Sequence, residues 1–447
     1  MFKFSASNWS WIVVYILGLV YLNYFGSQDQ FTSTLIVYVA LFSIYIYFIR
    51  IREKLGEKST DLLALIFHVV PLFAIPALSP DVYRFIWDGE ILTHGIHPYA
   101  YTPQELTEKP FFQSSTYLNS LFSEITDLSR SNYSLYPTVN QLYFILPALI
   151  TENSIAAVII MKLLVLSTGI LGYIYLKKIL KSLKLSVRNA WILAINPFII
   201  IELSGNLHFE GVMLSWLFIA FYFVLTKKWV LAALFWAIAI NVKLTPLLLL
   251  PFLWRFIGWK AALKTYAMVG LFSVLILGVY LWPSVLPNFL RSIELYFNNF
   301  QFNSSLFAIS EYILYPVYDY ETILVVGPLL SKVSLIIICF VAIVKPIKTG
   351  EVWFERMLWG YLIYLLFATT IHPWYIVFPF GLSILTKNSF MIGWTFLIML
   401  SYGFYSFENE LISNGLILLE YSGLLFLILL DLTYRKKQHF LHRFLKL

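Results

Sequence analysis

The sequence predicts an all-helical, polytopic membrane protein: a transmembrane bundle of about 12 crossings, plus a re-entrant helix pair and interfacial helices in a first long outer loop. Three observations predict it. Hydrophobic residues make up 60% of the 447 positions and charged residues only 12%, with a mean hydropathy of +0.78. A soluble domain carries about twice that charged fraction. Apolar runs of bilayer length recur along the chain, and the basic residues behind the net charge of +7 sit in short clusters between them. That distribution is a topology signal and excludes a nucleic-acid partner. The lone cysteine, Cys339, lies inside an apolar run, so no intrachain disulfide forms.

The crossings are read at 10–25, 32–50, 62–78, 155–176, 188–203, 210–226, 261–282, 322–345, 357–371, 374–386, 390–407 and 411–431. The first begins close to the N-terminus without a small-residue cleavage site, and reads as a retained helix. Arg50, Arg52, Lys54 and Lys58 form one basic cluster, Lys177 to Arg188 a second, Lys345, Lys348 and Arg356 a third, and the tail 435–447 a fourth. All are expected on the cytoplasmic side, with both termini. The count closes if the run 139–151 does not cross and if 229–255 enters and leaves on the cytoplasmic side. Lys227 and Lys228 flank that region on one side, Arg255 and Lys260 on the other, and Asn241-Val242-Lys243-Leu244-Thr245-Pro246 breaks its middle. A re-entrant pair of half-helices fits, because broken backbone at membrane depth needs protein or a wet cavity around it. Residues 1–447 form a single transmembrane domain, with a first outer loop at 79–153 and a second, aromatic one at 283–320. Loops of this length usually have a function. No internal repeat is visible.

The segment Ser79–Tyr99 concentrates charge at the mouth of the first outer loop. Ser79-Pro80-Asp81 reads as a helix start, with serine at the N-cap, and the helix is expected to stop at Gly89. Asp81, Arg84 and Asp88 then share one helix face. Asp81 and Asp88 are the candidate catalytic carboxylates. The alternative is structural: Asp81 complements the helix dipole and Arg84 pairs with Asp88 on a wet surface. His94 and His97 straddle Gly95 without a third ligand at a metal-like spacing, so no metal site is expected.

Two lysines fall inside apolar surroundings. Lys162 lies about 12 Å into its span, and Lys243 sits at the tip of the re-entrant pair. Each needs a partner or a cavity, and an anionic headgroup is a natural one; snorkelling or a buried acid is the alternative. Two further polar clusters fall on the same outer side: the turn from Glu202 to Glu210, with Asn206 and His208, and His372-Pro373-Trp374-Tyr375. Trp374 and Tyr375 read equally as interface anchors.

The pattern Asp81-x-Tyr83-Arg84-Phe85-x-Trp87-Asp88-Gly89, followed by Gly95-Ile96-x-Pro98-Tyr99, resembles the bacterial GT-C glycosyltransferases that use polyprenyl-phosphate sugars, closest to the polyprenol-phosphate-mannose-dependent mannosyltransferases. Tyr136-Pro137-Thr138, Asn241 to Pro246 and His372 to Tyr375 are similar to later pieces of that family, in order. His97 stands where relatives often carry Asn, and Thr138 where a second proline is common. The resemblance implies inverting transfer of a sugar, mannose in its closest members, from a polyprenyl-phosphate donor to a glycan, lipid or protein acceptor outside the cell inner membrane. It makes Asp81 the base, with Arg84, Lys162, Lys243 and His372 as lipid-phosphate ligands. Tyr83, Trp87, His97, Tyr99, Asn206, His208, Glu210, Trp374 and Tyr375 become substrate contacts. Some relatives use a divalent metal, but nothing in this chain requires one, and no nucleotide-binding signature appears. Two other classes compete: a secondary transporter with its site at the helix break, and a polymerase or ligase of lipid-linked oligosaccharides.

Overall fold

The structure, a computed structural model, describes residues 6–434 apart from 279, 299, 319–321 and 408. Its regular elements are all helices, and one isolated β-bridge joins Phe302 and Thr370. Among the described residues, five helices are long and apolar enough to cross a bilayer: Phe31–Lys54, Ser154–Ser182, Trp259–Gly278, Thr322–Ile343 and Leu411–Thr433. The pair Val187–Ala194 and Pro197–Gly205, bent by 58°, makes up to six. This is a multi-pass membrane protein.

Ala6–Tyr24 and Gly350–Phe367 are continuous helices of 19 and 18 residues, and most of the other apolar runs fold into shorter or interrupted helices. Glu210–Leu225 has 16 residues, about 24 Å at 1.5 Å per residue, against a hydrocarbon core of about 30 Å. Pro71, Pro197 and Pro251 each start a new helical piece within an apolar run, and Pro373 starts the short helix between the runs 357–371 and 374–386. Proline is tolerated in the first helical turn and removes a backbone hydrogen bond further in, as Pro328 does inside Thr322–Ile343.

Charge is segregated along the bundle. Arg188 Nη1 binds Glu53 Oε2 at 2.7 Å and Lys177 Nζ binds Asp61 Oδ2 at 2.8 Å. Gly350 abuts Leu183 and Leu225, and Arg255 Nε donates to Ile343 O at 2.7 Å. These contacts gather the basic clusters at one end. The tail 435–447, expected with them, lies outside the described residues. Trp229–Ile240 follows Lys228, the chain breaks at Asn241, and Thr245–Leu249 and Pro251–Ile257 follow, the last carrying Arg255. At the break, Asn241 O accepts from Val139 N at 3.1 Å and Val242 O from Asn140 Nδ2 at 2.8 Å.

The opposite end is built from the two long loops. In the first, short helices are started by side-chain caps at Thr102, Ser115 and Thr126. Thr138–Ala148 follows and has 11 residues, far too few to cross. The helix expected to end at Gly89 instead spans Asp81–Thr93, with Pro80 rather than Ser79 at its N-cap. Gly89 is a contact residue, not a stop: a Cβ there would lie 2.1 Å from Phe144 O on the Thr138–Ala148 helix. The glycine lets the two helices touch. Gly95, at φ +72°, makes the turn that follows.

Helix Leu286–Asn298 of the second loop docks on the first: Asn288 Nδ2 donates to Tyr99 O and Ser292 Oγ to Tyr133 O. Backbone bonds between Phe302 and residues Thr369 and Ile371 tie this loop to the His372 turn. Asn303 Nδ2 donates to buried Glu420 at 3.2 Å, fastening the same loop to the last long helix.

Candidate active site

A cavity of about 460 Å³ opens where the two loops meet the helix break, within the range of small-molecule sites. Asp81, His208, Glu210, Lys243, His372, Trp374 and Tyr375 line it, with Phe85, Tyr136, Pro137 and Phe209. Segments far apart in sequence thus meet at one place. Phe85 fixes the wall, stacking on Phe144 at 4.8 Å and meeting Tyr136 and Phe209 edge-on.

Asp81 stands half-buried at the start of its helix, beside the Ser79 hydroxyl, which accepts from Asp81 N at 3.4 Å. Burial pushes its carboxyl above the usual range; His208, Lys243 and Ser79 partly offset this. A carboxylate poised this way is suited to take a proton.

Lys243 reaches the cavity from the break. It pairs with Glu210, at the first turn of Glu210–Leu225, and lies 4.3 Å from the centroid of the Tyr375 ring. His372 is enclosed by rings: Phe302 at 4.9 Å, and Trp374 at 4.5 Å and 4°. Burial, then the Lys243 charge, pulls its imidazole down to about 3. It therefore offers a hydrogen-bonding nitrogen rather than a positive charge. The other face of Trp374 carries His208, with centroids 3.6 Å apart. Both indole faces are covered, so Trp374 positions two imidazoles and leaves no face for a sugar.

His208 ends a distorted turn. Ile200–Gly205 is a π-helix and Leu207 takes φ +61°, a conformation costing a side-chain-bearing residue about 1–3 kcal/mol. Glu202, fully buried, accepts from His208 Nδ1 at 2.9 Å, from Tyr402 OH at 2.7 Å and from Asn206 Nδ2 at 3.4 Å. The sequence reading did not single out Glu202 as a site residue. Its spacing of six from His208 corresponds to no shared face of an α-helix; only the π-helix and the left-handed residue bring the two together.

Several predicted site residues lie elsewhere. Asp88 is fully buried and bound by Arg84 Nε at 2.7 Å, by Ser134 Oγ and by Gln141 Nε2 at 3.3 Å. Arg84 Nη1 donates to Ser129 O and Asn132 O. This pair fastens the 126–134 loop, as a buried ion pair rather than one on a wet surface. Trp87 packs between Phe112 and Phe122 in the loop's core. His97 binds Tyr280 O, and Tyr99 OH donates to Tyr136 O. Asn206 Oδ1 accepts from Leu78 N, tying the turn to the approach of Asp81. Tyr83 is half-buried off the cavity. Lys162, 3% exposed, donates to Pro71 O and Ala74 O at 2.7 Å each, closing the end of the Val70–Phe73 turn. Lys162→Met is therefore expected to lower stability by about 1.5–3 kcal/mol without changing ligand affinity at the cavity, measured by thermal unfolding with and without ligand.

A second cavity, of about 510 Å³, lies between Glu57–Val69 and Ser154–Ser182 and holds none of the predicted site residues. Among the described residues, no group of three or more His, Cys, Asp or Glu side chains converges as a metal site.

Residues 12–259, more than half of the chain, match the family model described as Alpha-(1->6)-mannopyranosyltransferase, N-terminal domain. The chain belongs to this family. The matched region carries Asp81, Glu202, His208, Glu210 and Lys243, and stops short of the His372 turn. Alpha-(1->6)-mannopyranosyltransferase A of Corynebacterium glutamicum is 26% identical over 204 residues, 44% of this chain. The chain covers 39% of that relative's length.

Proposed function

We propose that this protein is a membrane mannosyltransferase that moves mannose from a polyprenyl-phosphate donor to a hydroxyl of a glycan, lipid or protein acceptor, with inversion. In this reading it crosses the cell inner membrane about 12 times, with both termini cytoplasmic and the cavity on the extracytoplasmic side. The 229–257 hairpin re-enters from the cytoplasm and puts Lys243 at its tip. Family membership supports the reaction class, and the charge segregation supports the orientation. The observation that carries the reading is that Asp81 and Lys243 share one cavity at the end away from the basic clusters.

Asp81 takes the proton from the acceptor hydroxyl as its oxygen attacks the anomeric carbon. The carbon–oxygen bond to phosphate breaks, and the phosphate keeps the electron pair. Lys243 lies where that charge grows, and His372 adds a neutral hydrogen bond. Inversion needs one displacement and so one base. The test is purified protein in liposomes with radiolabelled polyprenyl-phosphate mannose and a mannoside acceptor. Donor-dependent formation of a mannosylated product is expected. Uptake of a solute without product, or block transfer of an oligosaccharide, overturns the reading.

A further inference from the structure

His208 Nε2 is buried and has no hydrogen-bond partner among the described residues, yet its ring is among the most tightly held side chains at the cavity. Three constraints fix it. Trp374 stacks on its face at 19°. Leu207 at φ +61° sets the turn that delivers it. Glu202 accepts from Nδ1. Glu202 also accepts from Tyr402 and Asn206, so its two oxygens face three donors. With Nδ1 against Glu202, the neutral tautomer that fits this contact carries its proton on Nδ1 and presents a lone pair at Nε2, away from Glu202.

We propose that Glu202 is a positioning residue that fixes this tautomer, and that His208 Nε2 accepts a hydrogen bond from a sugar hydroxyl bound in the cavity. The proposal rests on the transferase reading and deepens it. The chemistry selects the partner. A phosphodiester oxygen has no proton to donate and is repelled by a lone pair, so the phosphate belongs with Lys243. Sugar hydroxyls are the donors the reaction supplies. A buried acceptor left without its donor is costly, so the arrangement rejects a sugar lacking that one hydroxyl more strongly than lost contact area would. Donor and acceptor both carry such hydroxyls, and the experiment separates them.

Full-length protein in nanodiscs is titrated with two series. One is polyprenyl-phosphate mannose, its monodeoxy analogues and bare polyprenyl phosphate; the other is methyl mannoside and its monodeoxy forms. In wild type, one analogue in one series is expected to lose about 10- to 100-fold in affinity. The series in which it falls identifies donor or acceptor sugar. His208→Phe keeps a ring against Trp374 and is expected to bind parent and analogue equally. Glu202→Gln is expected to narrow the gap, because its amide NH₂ can donate to Nδ1 and move the proton to Nε2. If His208→Phe leaves Glu202 too poorly matched to fold, the same comparison is made with both substitutions together.

Unchanged discrimination in these variants overturns the proposal. So does loss of bare polyprenyl phosphate binding equal to the loss of its mannosylated form. Wild-type protein that transfers mannose while discrimination survives in the variants defeats only the assigned role of Glu202 and His208. Wild-type protein that binds neither series defeats the transferase reading as well.

Discussion

Asp81→Asn is expected to lower mannosyl transfer by about 10²–10⁴-fold, the range for removing a positioned general base. The amide matches the carboxylate in shape, so the cavity wall and the Ser79 contact should persist. The structural loss is that of an acid in the first helical turn, about 0.3–1 kcal/mol at an exposed site. Asp88→Asn makes the contrast. Asp88 is buried and held by Arg84, Ser134 and Gln141, so that variant is expected to lose the packing of the 126–134 loop first and activity only through it. The pH profile gives a second reading. Burial raises the Asp81 carboxyl, and the base works only when ionised. The rate should therefore climb with pH through a limb above the ordinary carboxylate range. A limb near pH 4, the unperturbed value for Asp, or an Asp81→Asn protein that still transfers, removes Asp81 from the base role.

Sequence periodicity and charge were enough to read the helical class, the two long loops and the positions of the five longest apolar helices. Hydropathy reports burial in lipid over many residues, so it survives the loss of local detail. The helix break at 241–245 was also legible, because a proline beside polar residues leaves a helix little choice. Other features depended on tertiary contact. Gly89 reads as a stop because glycine favours helix ends, but it stays helical where a second helix presses against it. Lys162 reads as a membrane-depth cation in search of an anion, but the carbonyls of Pro71 and Ala74, 88 or more positions away in sequence, satisfy it. Arg84 and Asp88 share a face with Asp81 on paper. Folding turns that pair onto the loop and leaves Asp81 facing the cavity. Glu202 was hidden most completely, since its link to His208 exists only in a strained turn.

Lys243→Met should produce the second large effect. The substitution keeps most of the side-chain volume and removes the cation nearest the proposed leaving phosphate. Loss of such a group from an enclosed site costs about 10²–10³-fold in rate. Donor affinity should fall as well, because Glu210 then faces the phosphate without its partner. The sharper test is the shift in pH dependence. Lys243 is one of the charges that hold the Asp81 carboxyl down against the effect of burial. Without it that carboxyl rises further, and the acid limb of whatever transfer remains should move to higher pH. The direction follows from the sign of the charge: an opposite charge favours the ionised carboxylate, so its removal favours the protonated one. A variant at a residue that acts only by supporting the fold would lose activity at every pH without moving the limb. Measured together, the size of the loss and the displacement of the limb ask whether the lysine at the hairpin tip and the carboxylate of the first loop work on one substrate. A limb that stays in place places them in separate roles.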